Sequence, residues 1–258
     1  MNISLIQMNM AACDTEYNYS HAERLMRKAA ETSDVIVLPE TWNTGFFPKD
    51  NIHCYTDKNA ERCKEMFCRI SQEYGVCIIG GSVTEEKDGR IYNTCYIYNE
   101  KGECVSSYSK THLFSHMDEQ LFYTPGDDIR VFTICGMTAA VIICYDIRFP
   151  ELTRKVALDG AELLFVVSQW PEERIKLLEA LAKGRAAENQ MYVAVCNSAG
   201  NMNGTVYGGQ SFVSEPTGEI ISKASSGEEI LTVSIDAAKV RKLRERFRVF
   251  SDRREDLY

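Results

Sequence analysis

The stretch Ala139-Ala140-Val141-Ile142-Ile143-Cys144-Tyr145-Asp146-Ile147-Arg148-Phe149-Pro150-Glu151 begins as an apolar strand and ends as the start of a helix. The apolar residues run unbroken to Cys144, the chain breaks at Tyr145-Asp146, and proline then stands where a helix opens. Strand, turn and helix in that order are the repeating unit of α/β proteins. Cys144 is therefore predicted at the C-terminal end of a strand, where surrounding backbone N–H groups make a thiolate reactive. Two more ionisable residues close strand-like runs. Glu40 follows Val35-Ile36-Val37-Leu38-Pro39, and Lys110 follows Val105-Ser106-Ser107-Tyr108-Ser109. A carboxylate, an ammonium and a thiol at strand ends are the equipment of covalent acyl transfer.

Outward from this stretch, residues 3–8, 35–38, 76–80 and 92–98 read as strands, β-branched or aromatic and bounded by Gly, Pro or Asp. Between the second and third, apolar positions 63, 66, 67 and 70 repeat at helical spacing over 60–70. Ser20-x-x-Glu23 has capping-box spacing and predicts a helix opening there and running through Ala30. The second half continues with a strand over 138–144, a helix from about Pro150, and a strand over 163–168. A helix over 171–188, a strand over 192–197, a hairpin over 211–222 and a strand over 230–235 follow. The alternation predicts an α/β fold, a sandwich of sheets with helices outside, in a single domain 1–258 with no linker or repeat.

The 37 acidic residues outnumber the 29 basic ones, and a net charge of −8 argues against a nucleic-acid footprint. The basic cluster at 239–248 is interleaved with Glu245 and apolar residues and reads as a helix with a solvated face. Ten cysteines in a small secreted chain would suggest disulfides, but this chain is long, and its N-terminus lacks a basic leader and long apolar core. The longest apolar run, 131–145, is broken by Thr133, Gly136 and Thr138 and is too short to span a bilayer. A cytoplasmic protein with reduced thiols is expected, nine of them serving as packing.

Each candidate has an ordinary alternative. A strand-end cysteine is commonly core, Glu40 could form an ion pair at a sheet edge, Lys110 could be an exposed lysine, and Glu119 a solvated loop acid. The ordered set is a stronger signal than any member. Competing motifs fail: His112 and His116 have i, i+4 spacing but no third ligand nearby, and no Cys-x-x-Cys pair exists. Gly208-Gly209-Gln210-Ser211-Phe212 is not a nucleophile elbow, and no GxGxxG or Walker loop is present. None of the four histidines has the flanking residues of a Cys–His protease.

These residues resemble the nitrilase superfamily of carbon–nitrogen hydrolases. The matching segments are Leu38-Pro39-Glu40, Tyr108-Ser109-Lys110-Thr111-His112-Leu113-Phe114 and Ile143-Cys144-Tyr145-Asp146-Ile147-Arg148-Phe149-Pro150. Further matches are Arg185-Ala186-Ala187-Glu188-Asn189-Gln190, Gly209-Gln210-Ser211 and Pro216-Thr217-Gly218, and the likeness extends to the closing Arg254-Glu255-Asp256-Leu257-Tyr258. Lys-x-His-Leu-Phe, Cys-Tyr-Asp-x-Arg-Phe-Pro and Trp170-Pro171 are most similar to the omega-amidase branch. Gln210 and Gln169 depart from the commoner histidine and asparagine.

The resemblance implies an α-β-β-α sandwich, homodimers or larger assemblies, and no metal or organic cofactor. It implies a triad of Glu40 as general base, Lys110 as oxyanion donor and Cys144 as nucleophile, with Glu119 as an additional active-site glutamate. The Tyr145 N–H would complete the oxyanion site, and Lys110 beside Cys144 would favour its thiolate. The implied substrate is the terminal amide of a small 2-oxo dicarboxylate monoamide, such as 2-oxoglutaramate or 2-oxosuccinamate. Its carboxylate would need another cation. Arg148 is the candidate, with a salt bridge orienting the following helix as its alternative, and Trp170 would wall the pocket or serve as core. Other amides, N-carbamoyl compounds, nitriles, deaminated glutathione and a catalytically silent scaffold are the rival readings.

Overall fold

The computed structural model describes residues 1–46 and 48–257, so the final Tyr258 of the closing match lies outside the described residues. The first half contains β1 (Asn2–Gln7), α1 (Thr15–Ala30), β2 (Val35–Val37), β3 (Asp57–Lys58), α2 (Glu61–Tyr74), β4 (Cys77–Ile79), β5 (Val83–Lys87), β6 (Arg90–Tyr98) and β7 (Cys104–Ser109). The next segment runs β8 (Phe132–Ile134), β9 (Met137–Ile143), α3 (Pro150–Leu158), β10 (Leu163–Ser168), α4 (Ile175–Asn189) and β11 (Tyr192–Asn197). The chain closes with β12 (Ala199–Met202), β13 (Thr205–Gly208), β14 (Phe212–Ser214), β15 (Ile220–Lys223), β16 (Glu229–Ser234) and α5 (Ala237–Arg246).

Alternation along the strands builds the layers. Ile3, Leu5, Val35, Val37 and Ile79 join the core shared with the second sheet, while Ile6, Ile36 and Ile78 join the core under α1 and α2. One sheet has the order β16-β1-β2-β4-β6-β5-β3, with β7 also paired to β6. The other runs β15-β14-β11-β10-β9-β8, and β12 and β13 form a separate ribbon. Every residue of β10 is buried, as a strand covered by a sheet on one face and helices on the other must be. The result is the α-β-β-α sandwich.

Topology places the site. β1, β2 and β4 are parallel in one sheet, and β9, β10 and β11 in the other. β7 is antiparallel to β6, itself antiparallel to β4, so β7 points the same way as β4. The C-terminal ends of β2, β7 and β9 carry Glu40, Lys110 and Cys144.

Several expectations are corrected. Helix α1 begins five residues before Ser20: Asp14 accepts from the Tyr17 N–H at 3.0 Å and is the cap, while Ser20 bonds the Tyr17 carbonyl. Helix α4 starts at Ile175, because residues Glu172–Arg174 form a tighter 3-10 turn first. β9 stops at Ile143, where Cys144 takes φ +50° and leaves the pleat. Cys54, Cys104 and Cys135 are exposed, so nine packing thiols is too many; these three occupy turns or a sheet edge, where no core reaches them. In α5 only Val240 is buried, the solvated basic helix expected. Among the described residues no helix is long and apolar enough to cross a membrane.

Candidate active site

Glu40 is held by a tight crossing of two loops. The Ser82 N–H donates to the Pro39 carbonyl at 3.0 Å, and the Thr41 N–H to the Ser82 hydroxyl at 2.9 Å. Gly81 is required there: a Cβ would stand 2.1 Å from the Pro39 oxygen, and φ is +63°. Lys110 is fixed by its own backbone, its N–H donating to Asn93 O and its carbonyl accepting from Gly126 N–H, both at 2.9 Å. Cys144 stands at the first residue of a 3-10 turn, Cys144–Arg148, whose leading N–H groups have no partner within the turn. Its positive φ is a strained conformation for a residue with a Cβ, kept because the packed strand and turn on either side dictate it.

The side chains converge. Lys110 Nζ donates to Glu40 Oε1 and to Glu119 Oε1, each at 2.9 Å, and all three residues are no more than 2% exposed. Glu40 Oε1 also accepts from Asn93 Nδ2 at 3.0 Å, and Oε2 from the Gln169 N–H at 3.1 Å. The Gln169 side chain donates to the Glu40 carbonyl and the Thr41 hydroxyl at 2.6 and 2.7 Å. Glu119 Oε2 accepts the Phe114 N–H at 2.7 Å. Glu119 is thus a buried partner of Lys110, and the solvated-acid alternative falls away, as does the exposed-lysine one.

One ammonium between two carboxylates leaves the cluster with excess negative charge. Burial pulls the Lys110 pKa down, but Glu40 and Glu119 outweigh it and hold it well above the ordinary lysine range. Burial, with Glu40 close by, raises the Glu119 carboxyl against the pull of Lys110. For Cys144, burial and Glu40 push the thiol well up, and Lys110 and the Gln169 N–H offset only part of this. Lys110 thus favours the thiolate, as expected, but it is outweighed by burial and by the nearby Glu40 side chain, which hold the thiol above its ordinary pKa. Such an arrangement suits transfer of the thiol proton during attack.

A third carboxylate joins the Lys110 and Cys144 segments. Asp146 is fully buried, and its Oδ2 accepts from Tyr108 Oη at 2.7 Å and from the Ile143 N–H at 3.0 Å. Oδ1 accepts from the His112 N–H at 3.0 Å and the Thr111 hydroxyl at 3.2 Å, with His112 Nδ1 2.9 Å away. The His112 ring stacks on Phe149, centroids 3.7 Å apart. The two sequence motifs thus interlock through one side chain. Sequence reading missed it, although a carboxylate two residues after a buried strand was as conspicuous as Glu40.

Above the cluster lies a cavity of about 480 Å³ lined by Lys110, Glu119, Cys144, Tyr145, Arg148 and Trp170, among others. Arg148 Nε is buried without a partner among the described residues, and its guanidinium lies 5.2 Å from the Trp170 ring centre. The helix-orienting alternative goes to Arg185 instead, which donates to the Ile147 and Arg148 carbonyls at 3.1 and 3.3 Å. Trp170 is 4% exposed and serves as both core and pocket wall. A third cation, Arg174, also lines the cavity, with its Nε 3.5 Å from a Glu173 carboxylate oxygen. It carried no sequence signal, lying in a segment that reads as helix. Asn93, mid-strand in β6, was equally invisible. Among the described residues no group of three or more His, Cys, Asp or Glu could hold a metal ion.

Residues 2–245 match the family model for carbon–nitrogen hydrolases. The chain is 35% identical over 256 residues to the 2-oxoglutaramate amidase of Bacillus subtilis, covering 99% of this chain and 98% of that one. It is 32% identical over 274 residues to the omega-amidase NIT2 of Xenopus tropicalis, covering 99% and 96%. Nit3 of Saccharomyces cerevisiae, a member of branch 10 of the nitrilase superfamily, superposes with a TM-score of 0.91 at 27% identity, over 98% of this chain and 96% of that one.

Proposed function

The chain belongs to the carbon–nitrogen hydrolase family, the nitrilase superfamily, and from that premise we propose that it is a thiol amidase for small 2-oxo dicarboxylate monoamides. The observation that carries the reading is the buried Glu40–Lys110–Glu119 cluster, with both contacts at 2.9 Å, beside Cys144 at the base of the cavity.

In the proposed mechanism Glu40 accepts the Cys144 proton as sulfur attacks the amide carbon. The developing oxyanion would be met by the Lys110 ammonium and the Tyr145 N–H, which would stabilise charge as it appears. Glu40 returns its proton to the departing nitrogen, and ammonia leaves a thioester on Cys144. Glu40 then takes a proton from water as it attacks the thioester, the C–S bond breaks to release the acid, and Glu40 returns the proton to sulfur to regenerate the thiol. Glu119 has a positioning role: with Glu40 it holds the ammonium from two sides, which fixes where the third donor direction of Lys110 points.

For the substrate, the unpartnered Nε of Arg148 supports a carboxylate seat, since an unsatisfied buried donor favours a ligand that pairs with it. A carboxylated amide would then be preferred over glutamine, neutral amides and nitriles. The similarity to proteins named 2-oxoglutaramate amidase and omega-amidase supports the same class. The proposal extends to a cytoplasmic homodimer or larger assembly, which light scattering would size.

Ammonia release across 2-oxoglutaramate, 2-oxosuccinamate, glutamine, deaminated glutathione and an aliphatic nitrile tests the reading. The two 2-oxo acids should lead in kcat/KM. Equal turnover of neutral amides would sink the substrate class while leaving the thiol chemistry standing.

A further inference from the structure

At the opposite end of the sheets from Cys144, two cysteines from different sheets meet. Cys77 opens β4 and is 1% exposed, whereas Cys135 is exposed in the two-residue turn joining β8 to β9. Their sulfurs stand 3.7 Å apart although 58 residues separate them in sequence.

Both are held in place. Ile134 pairs with Met137 across the turn, and Cys135 and Gly136 both take positive φ, +46° and +76°, the pattern of a tight hairpin turn. The Cys77 N–H donates to the Asp34 carbonyl at 2.9 Å, and Cys135 Sγ approaches that oxygen at 3.9 Å. One backbone acceptor therefore ties both residues to the same point. A disulfide needs sulfurs about 2.05 Å apart, so closure requires the two sulfurs to draw together from 3.7 Å.

We propose that Cys77 and Cys135 form a thiol–disulfide exchange site that reacts with small-molecule disulfides and closes into a disulfide joining the two sheets. Cys135, as thiolate, attacks one sulfur of the small disulfide; that S–S bond breaks, one thiolate departs, and a mixed disulfide remains on Cys135. Cys77 then loses its proton and attacks Cys135 Sγ, expelling the second small thiolate. Two protein thiols are oxidised, one small disulfide is reduced to two thiols, and the two protons end on those thiols.

The electrostatics agree with this order. The contact with Cys77 holds the Cys135 thiol below its ordinary pKa, helped by the nearby N-terminal ammonium and opposed by burial, Asp34 and Glu100. Cys77 is pushed the other way, by Cys135 first and then by burial and Glu100. The accessible sulfur is the better attacking thiolate. Cys144 lies beyond the far end of the 7-residue β9, about 23 Å away at ~3.3 Å per residue, so closure leaves the cavity untouched.

The test is incubation with oxidised glutathione, alkylation of the remaining thiols with iodoacetamide, and non-reducing peptide mapping. The expected result is a peptide pair joined through Cys77 and Cys135, neither of those two cysteines alkylated, and reversal by dithiothreitol. Cys135→Ser, at an exposed turn, should lose the cross-link and leave Cys77 without glutathione. Cys77→Ser should leave glutathione held on Cys135. A wild-type protein that keeps glutathione on Cys135 without the link, or whose two thiols both remain alkylatable, would overturn the proposal.

Discussion

Glu40 and Asp146 are both buried carboxylates just beyond the C-terminal end of a strand, yet their surroundings differ in kind. Glu40 is met by the Lys110 ammonium, an amide and a backbone N–H, and shares that ammonium with Glu119. Asp146 is met by hydroxyls, backbone N–H groups and one imidazole, with no ammonium or guanidinium among the described residues. The first stands among an ammonium, a second acid and a thiol whose own pKa values are all shifted. The second is filled by fixed dipoles and serves as a joint. Proximity to the thiol alone does not assign chemistry; the nature of the partners does.

The largest expected effect tests the centre both carboxylates serve. Cys144→Ala should reduce ammonia release to background, since removing a nucleophile costs on the order of 10⁶-fold in a well-studied hydrolase. Intact mass of the wild type with a slow substrate should show an acyl adduct that the variant lacks. A tenth of the normal kcat surviving in Cys144→Ala would rule out covalent catalysis.

Next come the two carboxylates themselves, and they should separate. Glu40→Gln should lower kcat by ~10²–10⁴-fold as a lost acid/base. Lys110→Arg should be severely impaired too, because a planar fork cannot replace a compact ammonium between two carboxylates. Asp146→Asn should instead orphan at least one donor, costing about 1–3 kcal/mol in urea unfolding, with a smaller fall in kcat of ~10–100-fold from displaced Lys110 and Cys144 segments. If Asp146→Asn matched Glu40→Gln in kcat while stability stayed at wild-type level, the division between reacting and joining carboxylates would be wrong.

A milder change is expected at the rim. Arg148→Met should erase most of the preference for 2-oxo acids over glutamine, read as converging kcat/KM values. Alkylation of Cys144 should proceed as before, because among the described residues no hydrogen bond or ion pair joins Arg148 to Glu40, Lys110 or Glu119.

The smallest effect concerns Glu119. Its folded pKa is raised, so the folded protein holds this proton more tightly than the unfolded chain does. The stability it contributes is present below the ordinary carboxyl pKa of 4.5 and declines as pH rises through the raised folded value. Glu119→Gln removes that titration. Relative to wild type it should gain unfolding free energy between pH 4.5 and neutrality, whatever constant offset the lost Phe114 N–H acceptor adds. A pH-independent difference would show that Glu119 titrates normally.

Element order and most strand positions were legible because hydrophobic alternation and turn residues are local properties of the chain. The helix start at Thr15 was not, because the Ser20-x-x-Glu23 spacing falls inside the helix and the true cap is identified only by the Tyr17 N–H reaching Asp14. Glu40, Lys110 and Cys144 were legible as ionisable residues at strand ends, and Glu119 only by resemblance. Asn93 and Gln169 were not legible as partners of Glu40, which lie 53 and 129 residues away in the chain. Nor was the direction in which the thiol pKa moves, since Lys110 and Glu40 pull it in opposite directions and burial adds to the upward pull.

By itself, then, the sequence determined the layers, the strand ends and the kinds of group delivered there, since these follow from residue type and short-range spacing. The tertiary structure alone decided which lone pair meets which proton: Lys110 between two glutamates, Asp146 across two motifs, Cys77 against Cys135. Those pairings depend on distances of a few ångströms between residues remote in the chain, and on the burial that makes each pairing strong.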